Sequence, residues 1–303
     1  MEYVLRTKDL TKIYSRKAAV NKVNLEIKKG DIYGFIGKNG AGKTTTIRMA
    51  VGLAKPTSGE IELFESKNLN KGRAKVGTVI EYPALYPYMS ARQNLETQRL
   101  LLNVKDKSVT DEILEIVGLA DVGRKKAKDF SLGMKQRLAI ALSLIGDPEF
   151  LFLDEPINGL DPMGIKEIRD LILKLNKERG ITIMISSHIL GELVKMATCY
   201  GVINNGELVD QFDADDLKNR VKTRIRIKAN DPDGVCQILQ NEIGVQDCTL
   251  EDDGSVSVFD HLDDSGKINL ALSEHDIIVE YINKEGGDYE DYFIKLMGGN
   301  KNA

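Results

Sequence analysis

The sequence lacks any long apolar run. The longest runs, residues 138–145 and 150–153, fall far below the roughly 20 residues that a helix needs to cross a bilayer. Residues 1–6 contain no continuous apolar stretch that could act as a secretory signal. We therefore expect the chain to stay in the compartment where it is made, with no segment of its own in a membrane.

Cysteine is scarce as well. The three cysteines, Cys199, Cys236 and Cys248, are widely spaced, with no CxxC pair and no nearby histidine cluster. This pattern indicates neither a disulfide framework nor a zinc site. We expect all three to be buried free thiols.

An excess of positive charge is also missing. Lysine and arginine together number 42 against 46 acidic residues, which gives a net charge of -4 at pH 7. The chain has no overall positive field that would attract a phosphate backbone, so we expect no nucleic-acid partner, although a local basic face remains possible. Its 303 residues, 42% hydrophobic and 29% charged, are typical of a globular protein with one large and one small domain.

The apolar residues are patterned as an α/β protein. Alternation in the opening segment, up to Leu63, predicts a β-rich entry region that is antiparallel. Three compact apolar runs, 32–36, 150–153 and 181–185, each end at a polar or glycine-rich turn before a helical pattern. Such runs are typical of parallel strands that are buried on both faces. Between them, the polar stretch at about 85–145 predicts an inserted helical subdomain.

The pattern changes near residue 215. Beyond it, short segments alternate between the periods of strands and of helices, which predicts a small α+β domain. We therefore divide the chain into a domain of residues 1–215 and an accessory domain of residues 221–303, without an internal repeat.

The clearest motif is a glycine-rich loop. Residues 37–44 read GKNGAGKT and match G-x-x-x-x-G-K-[ST], after an expected strand and before an expected helix. In such a loop the backbone N–H groups and the helix N-terminus bind phosphate oxygens, the lysine reaches the β and γ phosphates, and the threonine binds Mg²⁺. An ordinary glycine turn before a helix is the alternative. The predicted binding residues are Gly37, Asn39, Gly40, Ala41, Gly42, Lys43, Thr44 and Thr45.

A second motif is the apolar run 150–153 that ends in Asp154 and Glu155. Asp154 would hold the Mg²⁺ that Thr44 also binds. Glu155 would orient or polarise the attacking water. Strands often end in solvated carboxylates, so the pattern is weak alone, but the glycine-rich loop upstream favours the metal and catalytic roles.

A third segment carries a specific resemblance. Residues 130–137, FSLGMKQR, resemble the signature of ABC (ATP-binding cassette) ATPases, which usually reads LSGGQ and continues into a Q-R pair. Ser131 and Gly133 match it, whereas Phe130, Leu132 and Met134 depart from it. Taken alone, the segment could be a serine-capped helix start. The resemblance covers residues 1–215 and implies a P-loop NTPase ABC cassette, with a mostly parallel sheet, that binds ATP and Mg²⁺ and hydrolyses ATP.

Three further positions fit this resemblance in order and spacing, and a fourth, Glu81, departs from it. The resemblance implies that Tyr14 stacks on adenine, that Asp161 lies in a loop crossing a dimer interface, and that His188 contacts the γ-phosphate. Glu81 stands where the family usually has glutamine, and the resemblance implies that this residue takes part in catalysis and in holding Mg²⁺. The ordinary alternatives are a packing tyrosine, a helix-start aspartate, a structural histidine and a solvated glutamate.

Glu81 points to one subgroup of this family. The glutamate, together with Pro83, Tyr86 and the segment 288–293, resembles the sequences of subunits of transporters that protect bacteria against bacitracin or lantibiotics. In this family each ATP lies between the glycine-rich loop of one subunit and the signature of another. One chain has one copy of each, which implies a homodimer, or a heterodimer with a related cassette. With no membrane segment, it would bind a separate membrane permease on the cytoplasmic side of the cell membrane.

Two other functions remain open. A soluble ABC ATPase of DNA repair or translation would usually carry two cassettes or long coiled-coil or zinc insertions. An ATP-dependent switch with little hydrolysis is disfavoured by Glu155 and His188. Because no phosphate-binding motif lies beyond His188, we expect nucleotide binding to survive deletion of residues 221–303.

Overall fold

A computed structural model of the protein describes residues 2–81, 84–251, 253–286 and 289–298. The chain forms two compact units. The first comprises the residues up to Ala214 together with the segment that starts at Phe293, and the second is Asp215–Tyr292. Pro83 and Asp288, which contribute to the resemblance to the bacitracin and lantibiotic subgroup, lie outside the described residues.

Strands account for much of both units. In chain order they are β1 (Tyr3–Tyr14), β2 (Lys17–Val23), β3 (Glu26–Lys28), β4 (Ile32–Ile36), β5 (Ser58–Leu63), β6 (Val76–Val79), β7 (Phe150–Asp154), β8 (Thr182–Ser187), β9 (Cys199–Asn204), β10 (Glu207–Asp213), β11 (Arg224–Ala229), β12 (Cys248–Leu250), β13 (Val256–Val258) and β14 (Val279–Glu285).

The α-helices alternate with these strands. They are α1 (Lys43–Val51), α2 (Leu69–Arg73), α3 (Ala91–Leu101), α4 (Val109–Ile116), α5 (Leu132–Leu144), α6 (Pro162–Arg179), α7 (Leu190–Leu193), α8 (Ala214–Arg220), α9 (Pro232–Glu242), α10 (Ser265–Glu274) and α11 (Tyr289–Leu296). Among the residues described, no helix combines the length and the apolar character that crossing a membrane requires.

Two sheets build the first unit. In the antiparallel one, β1 pairs with β2, β3 and β5, as expected for the entry region. The other sheet has the strand order β10-β9-β4-β8-β7-β6, and its neighbours from β9 to β6 run parallel. Every residue of β4, β7 and β8 is buried, which confirms that these apolar runs form strands covered on both faces.

The parallel pairing brings the predicted motifs together. Ile36 pairs with Ser187, and Asp154 pairs with Ser186, so β4, β7 and β8 end at one edge of the sheet. The chain segments that leave these three strands are the glycine-rich loop, the Glu155 turn and the His188 turn. Helices α3, α4 and α5 pack on one another and form the expected helical subdomain.

The second unit is a small α+β fold. Its elements follow one another as β11-α9-β12-β13-α10-β14, and the sheet order is β12-β13-β11-β14 with every pair antiparallel. This is the split βαβ arrangement of ferredoxin-like domains. Ile225 and Ile227 alternate with polar residues along β11, and they pack with Val235 and Leu239 of α9 in the core.

The expectation of three free thiols is wrong. Cys236 on α9 and Cys248 on β12 form a disulfide with their Cα atoms 5.7 Å apart. Helix α9 packs against β12, and this contact brings two cysteines without a sequence motif into bridging range. Cys199 is free, and burial raises the pKa of its thiol well above the ordinary value, so it is a poor nucleophile.

Candidate nucleotide site

The glycine-rich loop, here called the Walker A loop (residues 37–44), lies between β4 and α1. Gly42 precedes α1 with a φ of 114°, and a Cβ there would lie 2.6 Å from the carbonyl oxygen of Ala19. At Gly37, a Cβ would lie 2.6 Å from the carbonyl oxygen of Ile203. The loop is thus pressed against β2 and the end of β9, and only glycine fits at these two contacts.

The amide groups of this loop point to an anion site. Within the described chain, the N–H groups of Gly40, Gly42, Lys43, Thr44 and Thr45 donate no hydrogen bond, and the helical pattern begins where Thr46 N donates to the Gly42 carbonyl oxygen at 2.9 Å. Free donors at the N-terminus of a helix are suited to phosphate oxygens. The loop therefore fits the phosphates of ATP.

Lys43 adds a buried positive charge. Its side chain is only 5% exposed, and its Nζ donates to the Gly37 carbonyl oxygen at 2.6 Å. The same Nζ lies 3.2 Å from Oε1 of Glu155. The lysine thus joins the Walker A loop to the end of β7.

Oxygen atoms suited to Mg²⁺ lie beside the loop. Thr44 Oγ1 donates to Asp154 Oδ2 at 2.8 Å, and the Asp154 residue is only 2% exposed. The other carboxylate oxygen of Asp154 accepts a hydrogen bond from Ser186 Oγ. A hydroxyl and a carboxylate next to a phosphate site match the ligands that Mg²⁺ takes. Thr44 and Asp154 thus fit the metal, and Ser186, which the sequence analysis missed, orients Asp154.

Glu155 lies at the turn after β7. Its φ of 51° is unusual for a residue other than glycine, and such strain is often found in active sites. Its backbone N–H donates to the carbonyl oxygen of Ser186, and its Oε2 lies 2.8 Å from Nδ1 of His188. Its Oε1 is buried and, despite the nearby Lys43 charge, has no hydrogen-bond partner in the part of the chain that the structure describes. A carboxylate held in this way can accept a proton from a water molecule.

Among the described residues, no hydrogen bond links two of the predicted residues, Glu81 and Tyr14, to this cluster. The carboxylate of Glu81 is half exposed and accepts a hydrogen bond from Arg48 Nη2 at 2.7 Å, whereas no hydrogen bond between described residues links it to Thr44 or Asp154. Tyr14 ends β1 with its ring 47% exposed and Lys12 Nζ 5.0 Å from the ring centroid. Metal binding by Glu81 and adenine stacking by Tyr14 stay predictions.

The signature residues lie at a different surface. Ser131 caps α5 by accepting from Met134 N at 3.2 Å, and Asp161 caps α6 by accepting from Gly164 N at 3.0 Å. Ser131, Gly133 and Asp161 line one depression of about 390 Å³ that contains no Walker A residue. Capping explains two of these side chains within the monomer, while the shared depression leaves a further role open.

Comparison with known families agrees with the fold of an ABC cassette. The family model described as ABC transporter matches residues 20–158. A bacitracin transport ATP-binding protein of Bacillus licheniformis, BcrA, is 44% identical over 302 residues, covering 99% of each chain. A lantibiotic transport ATP-binding protein of Streptococcus pyogenes, SrtF, is 42% identical over 217 residues, which cover 71% of this chain and 93% of the relative.

Solved structures agree as well. The cbiO1 subunit from Clostridium perfringens, part of an ABC transporter complex, has a TM-score of 0.66 and 30% identity over 72% of this chain and 92% of its own. The ATP-binding cassette MJ0796, solved as a dimer in a post-hydrolysis state with ADP and Pi, has a TM-score of 0.63 and 27% identity over 69% and 98%. Taken with the full-length relative, these matches show that the chain belongs to the ABC transporter family, as an ATP-binding subunit that hydrolyses ATP.

Proposed function

We propose that this subunit works as a head-to-tail dimer and powers a separate membrane permease that removes peptide antibiotics of the bacitracin and lantibiotic class. The observation that carries the dimer is the separation of the site into two surfaces: the Walker A loop, Asp154, Glu155 and His188 form one cluster, while the signature residues line another depression. A second copy brings its own signature to the ATP of the first. The dimeric cassette and the transport relatives described above support this arrangement and the substrate class.

Each residue of the cluster has a distinct role in this proposal. The free loop amides and Lys43 bind the β and γ phosphates, and Mg²⁺ bound by Thr44 and Asp154 supplies positive charge against the phosphate oxygens. Glu155 receives the proton of the attacking water, and His188, hydrogen-bonded to Glu155, contacts the γ-phosphate. Ser131 and Gly133 of the other copy complete the phosphate contacts. Function in DNA repair or translation is not favoured by the transport relatives.

A groove in the first unit suits the permease. A cavity of about 650 Å³ lies between the β6 edge of the central sheet and the helices α3 and α5. Most of the residues that line it are apolar, although polar atoms form much of its surface, and Leu53, which is 70% exposed, is among them. Exposed apolar surface of this kind is typical of a protein interface. Ile80 and Ala84 line it as well, so Glu81 lies beside it. We place the permease here, and thus the subunit at the cytoplasmic face of the membrane.

The groove is tested by Leu53→Asp. A charge in place of an exposed apolar side chain in this interface is expected to cost about 2 kcal/mol of binding, or roughly a thirtyfold loss of affinity, while basal ATP hydrolysis is retained. The measurement is co-purification of the subunit with a co-expressed permease. Leu270→Asp is the matched control, because Leu270 is 61% exposed in the second unit. Equal recovery of permease with both variants would contradict the placement.

Glu81→Gln tests the residue beside the groove. We expect unchanged affinity for Mg·ATP and a severalfold change in hydrolysis or in its stimulation by the permease. Loss of the exposed ion pair to Arg48 should alter folding stability by no more than about 1 kcal/mol. Arg48→Gln breaks the same ion pair and serves as the control. If Glu81→Gln leaves turnover, Mg²⁺ dependence and transport unchanged, Glu81 is a solvated loop carboxylate.

A further inference from the structure

We propose that the C-terminal residues Phe293 and Met297 position the Walker A loop for ATP, through the β9–β10 hairpin. The proposal rests on the assignment of the Walker A loop as the ATP site. It gives a role in nucleotide binding to residues that lie about 250 positions away in the sequence. The structure groups the segment that starts at Phe293 with the first unit, where the loop also lies.

Phe293 packs against the β9–β10 hairpin. Its side chain is completely buried, and its ring centroid lies 5.8 Å from that of Tyr200 and 6.2 Å from that of Phe212. Tyr200 and Phe212 pair across β9 and β10, with ring centroids 5.7 Å apart. The three rings form one aromatic cluster on the hairpin, to which Phe293 contributes the ring from the C-terminal segment.

The cluster reaches the strand that enters the Walker A loop. A Cβ on Gly34, in the middle of β4, would lie 3.2 Å from Cδ1 of Tyr200. The ring therefore lies directly against the β4 backbone, two residues before that strand ends at Ile36. A shift of the Tyr200 ring into space left by Phe293 would loosen this contact.

The end of the hairpin touches the loop itself. Asn204 Nδ2 donates to the carbonyl oxygen of Met297 at 3.2 Å, which ties the last residue of β9 to the C-terminal segment. The next two residues form the hairpin turn, where Gly206 N donates to the carbonyl oxygen of Ala41 at 2.9 Å. Ile203, which is fully buried, provides the carbonyl oxygen against which Gly37 packs.

These contacts act on the shape of the loop rather than on the reacting groups. Preorganised donors bind a ligand more tightly than mobile ones, because less freedom is lost on binding. Asp154 ends β7, and Glu155 and His188 follow β7 and β8. Neither strand takes part in the contacts with the C-terminal segment described above. Loosening the hairpin should therefore raise the Kd and the KM for Mg·ATP and leave kcat at saturating ATP nearly unchanged.

The test uses full-length Phe293→Ala. We expect about a tenfold rise in the Kd for Mg·ATP and kcat within about twofold of wild type. Amide hydrogen exchange should be faster than in the parent protein at Thr46 and Gly206, whose N–H groups donate to carbonyl oxygens of the loop. Ile294→Ala is the matched control, since this neighbour on α11 is 38% exposed and should change none of these quantities. Phe293→Leu should restore most of the ATP affinity.

A second variant keeps the test decisive if Phe293→Ala does not fold. Asn204→Ala removes the hydrogen bond to Met297 without opening a cavity in the aromatic cluster, and it should shift the Kd and the exchange rates in the same direction. Wild-type affinity and exchange in folded Asn204→Ala, and in Phe293→Ala where that variant folds, would overturn the proposal. A fall in kcat with unchanged KM would overturn it as well. Retention of ATP by Lys43→Ala would instead refute the assignment of the loop.

The same reasoning changes the expected outcome of a C-terminal deletion. Removing residues 221–303 also removes Phe293 and Met297, which belong to the first unit. The deletion should therefore weaken ATP binding. The sequence alone predicts no effect, because residues 221–303 follow the last phosphate-binding motif.

Discussion

Glu155→Gln is expected to bind Mg·ATP, to hydrolyse it about 10² to 10⁴ times more slowly, and to accumulate as an ATP-bound dimer. Glutamine has the size of glutamate and can keep a hydrogen bond to His188, but it cannot take a proton from water. Lys43, Thr44 and Asp154 remain in place, so the phosphate and metal contacts survive the change. The variant should therefore retain ATP binding while losing most of its ATP hydrolysis.

The change of charge also favours the closed dimer. Lys43 Nζ lies 3.2 Å from Glu155 Oε1, and the side chain of Glu155 is 21% exposed. Removing the negative charge frees the lysine for phosphate and lowers the repulsion between the cluster and the triphosphate. We therefore expect the affinity for ATP to stay the same or to rise.

Sedimentation velocity with Mg·ATP and a single-turnover assay measure the two halves of this prediction. Glu60→Gln is a suitable control, because it makes the same chemical change at an exposed ion pair with Lys67 in the antiparallel sheet. A Glu155→Gln protein that stays monomeric and turns over ATP at the wild-type rate would remove Glu155 from its role.

The motifs that the sequence revealed are those whose chemistry is encoded locally. The Walker A loop needs a strand, glycines, a lysine and a helix within a dozen residues, so its letters and its setting are read together. Asp154 and Glu155 gain meaning from that loop, since parallel strands end at the same edge of the sheet. For this reason the ATP site and the parallel core could be predicted before the structure was known.

The remaining features depend on contacts between distant segments. The hydrogen bond between Ser186 and Asp154 follows from the pairing of β7 with β8, which no local motif encodes. The disulfide requires α9 to pack on β12. Phe293 lies far beyond every ATPase motif, and only the return of the C-terminal segment to the first unit shows its contact with Tyr200.

Ser131 illustrates a different limit. A helix cap and a phosphate ligand call for the same hydroxyl at the same place, and the monomer shows the cap. The sequence left both interpretations open, and a single copy cannot separate them. Ser131→Ala should therefore be tested in the dimer formed by Glu155→Gln. Only in that dimer would the ATP bound to one copy lie against Ser131 of the other, so the substitution should weaken the dimer.

Lys43→Ala is expected to have the opposite effect to Glu155→Gln: it should lose ATP and remain monomeric. The ammonium group is buried, and it donates to the Gly37 carbonyl oxygen beside the free loop amides. Loss of charge-assisted hydrogen bonds to phosphate is worth about 1.5 to 3 kcal/mol, or roughly a 10- to 100-fold weaker Kd. Lys43→Arg should recover only part of this affinity, because the larger planar group does not fit a contact made by a single Nζ.

The double variant Lys43→Ala/Glu155→Gln distinguishes the contact of Lys43 with phosphate from its compensation of the negative charge of Glu155. Without Lys43, the Glu155 carboxylate loses the ammonium group that lies 3.2 Å from its Oε1, and its repulsion of the phosphates increases. If that repulsion contributes, the double variant should bind Mg·ATP more tightly than Lys43→Ala, although more weakly than Glu155→Gln. Titration of the four proteins with a fluorescent ATP analogue gives the coupling between the two residues directly. Equal affinity of the double variant and Lys43→Ala would show that Lys43 acts only through its contacts with phosphate, and wild-type affinity of Lys43→Ala itself would remove the residue from the site.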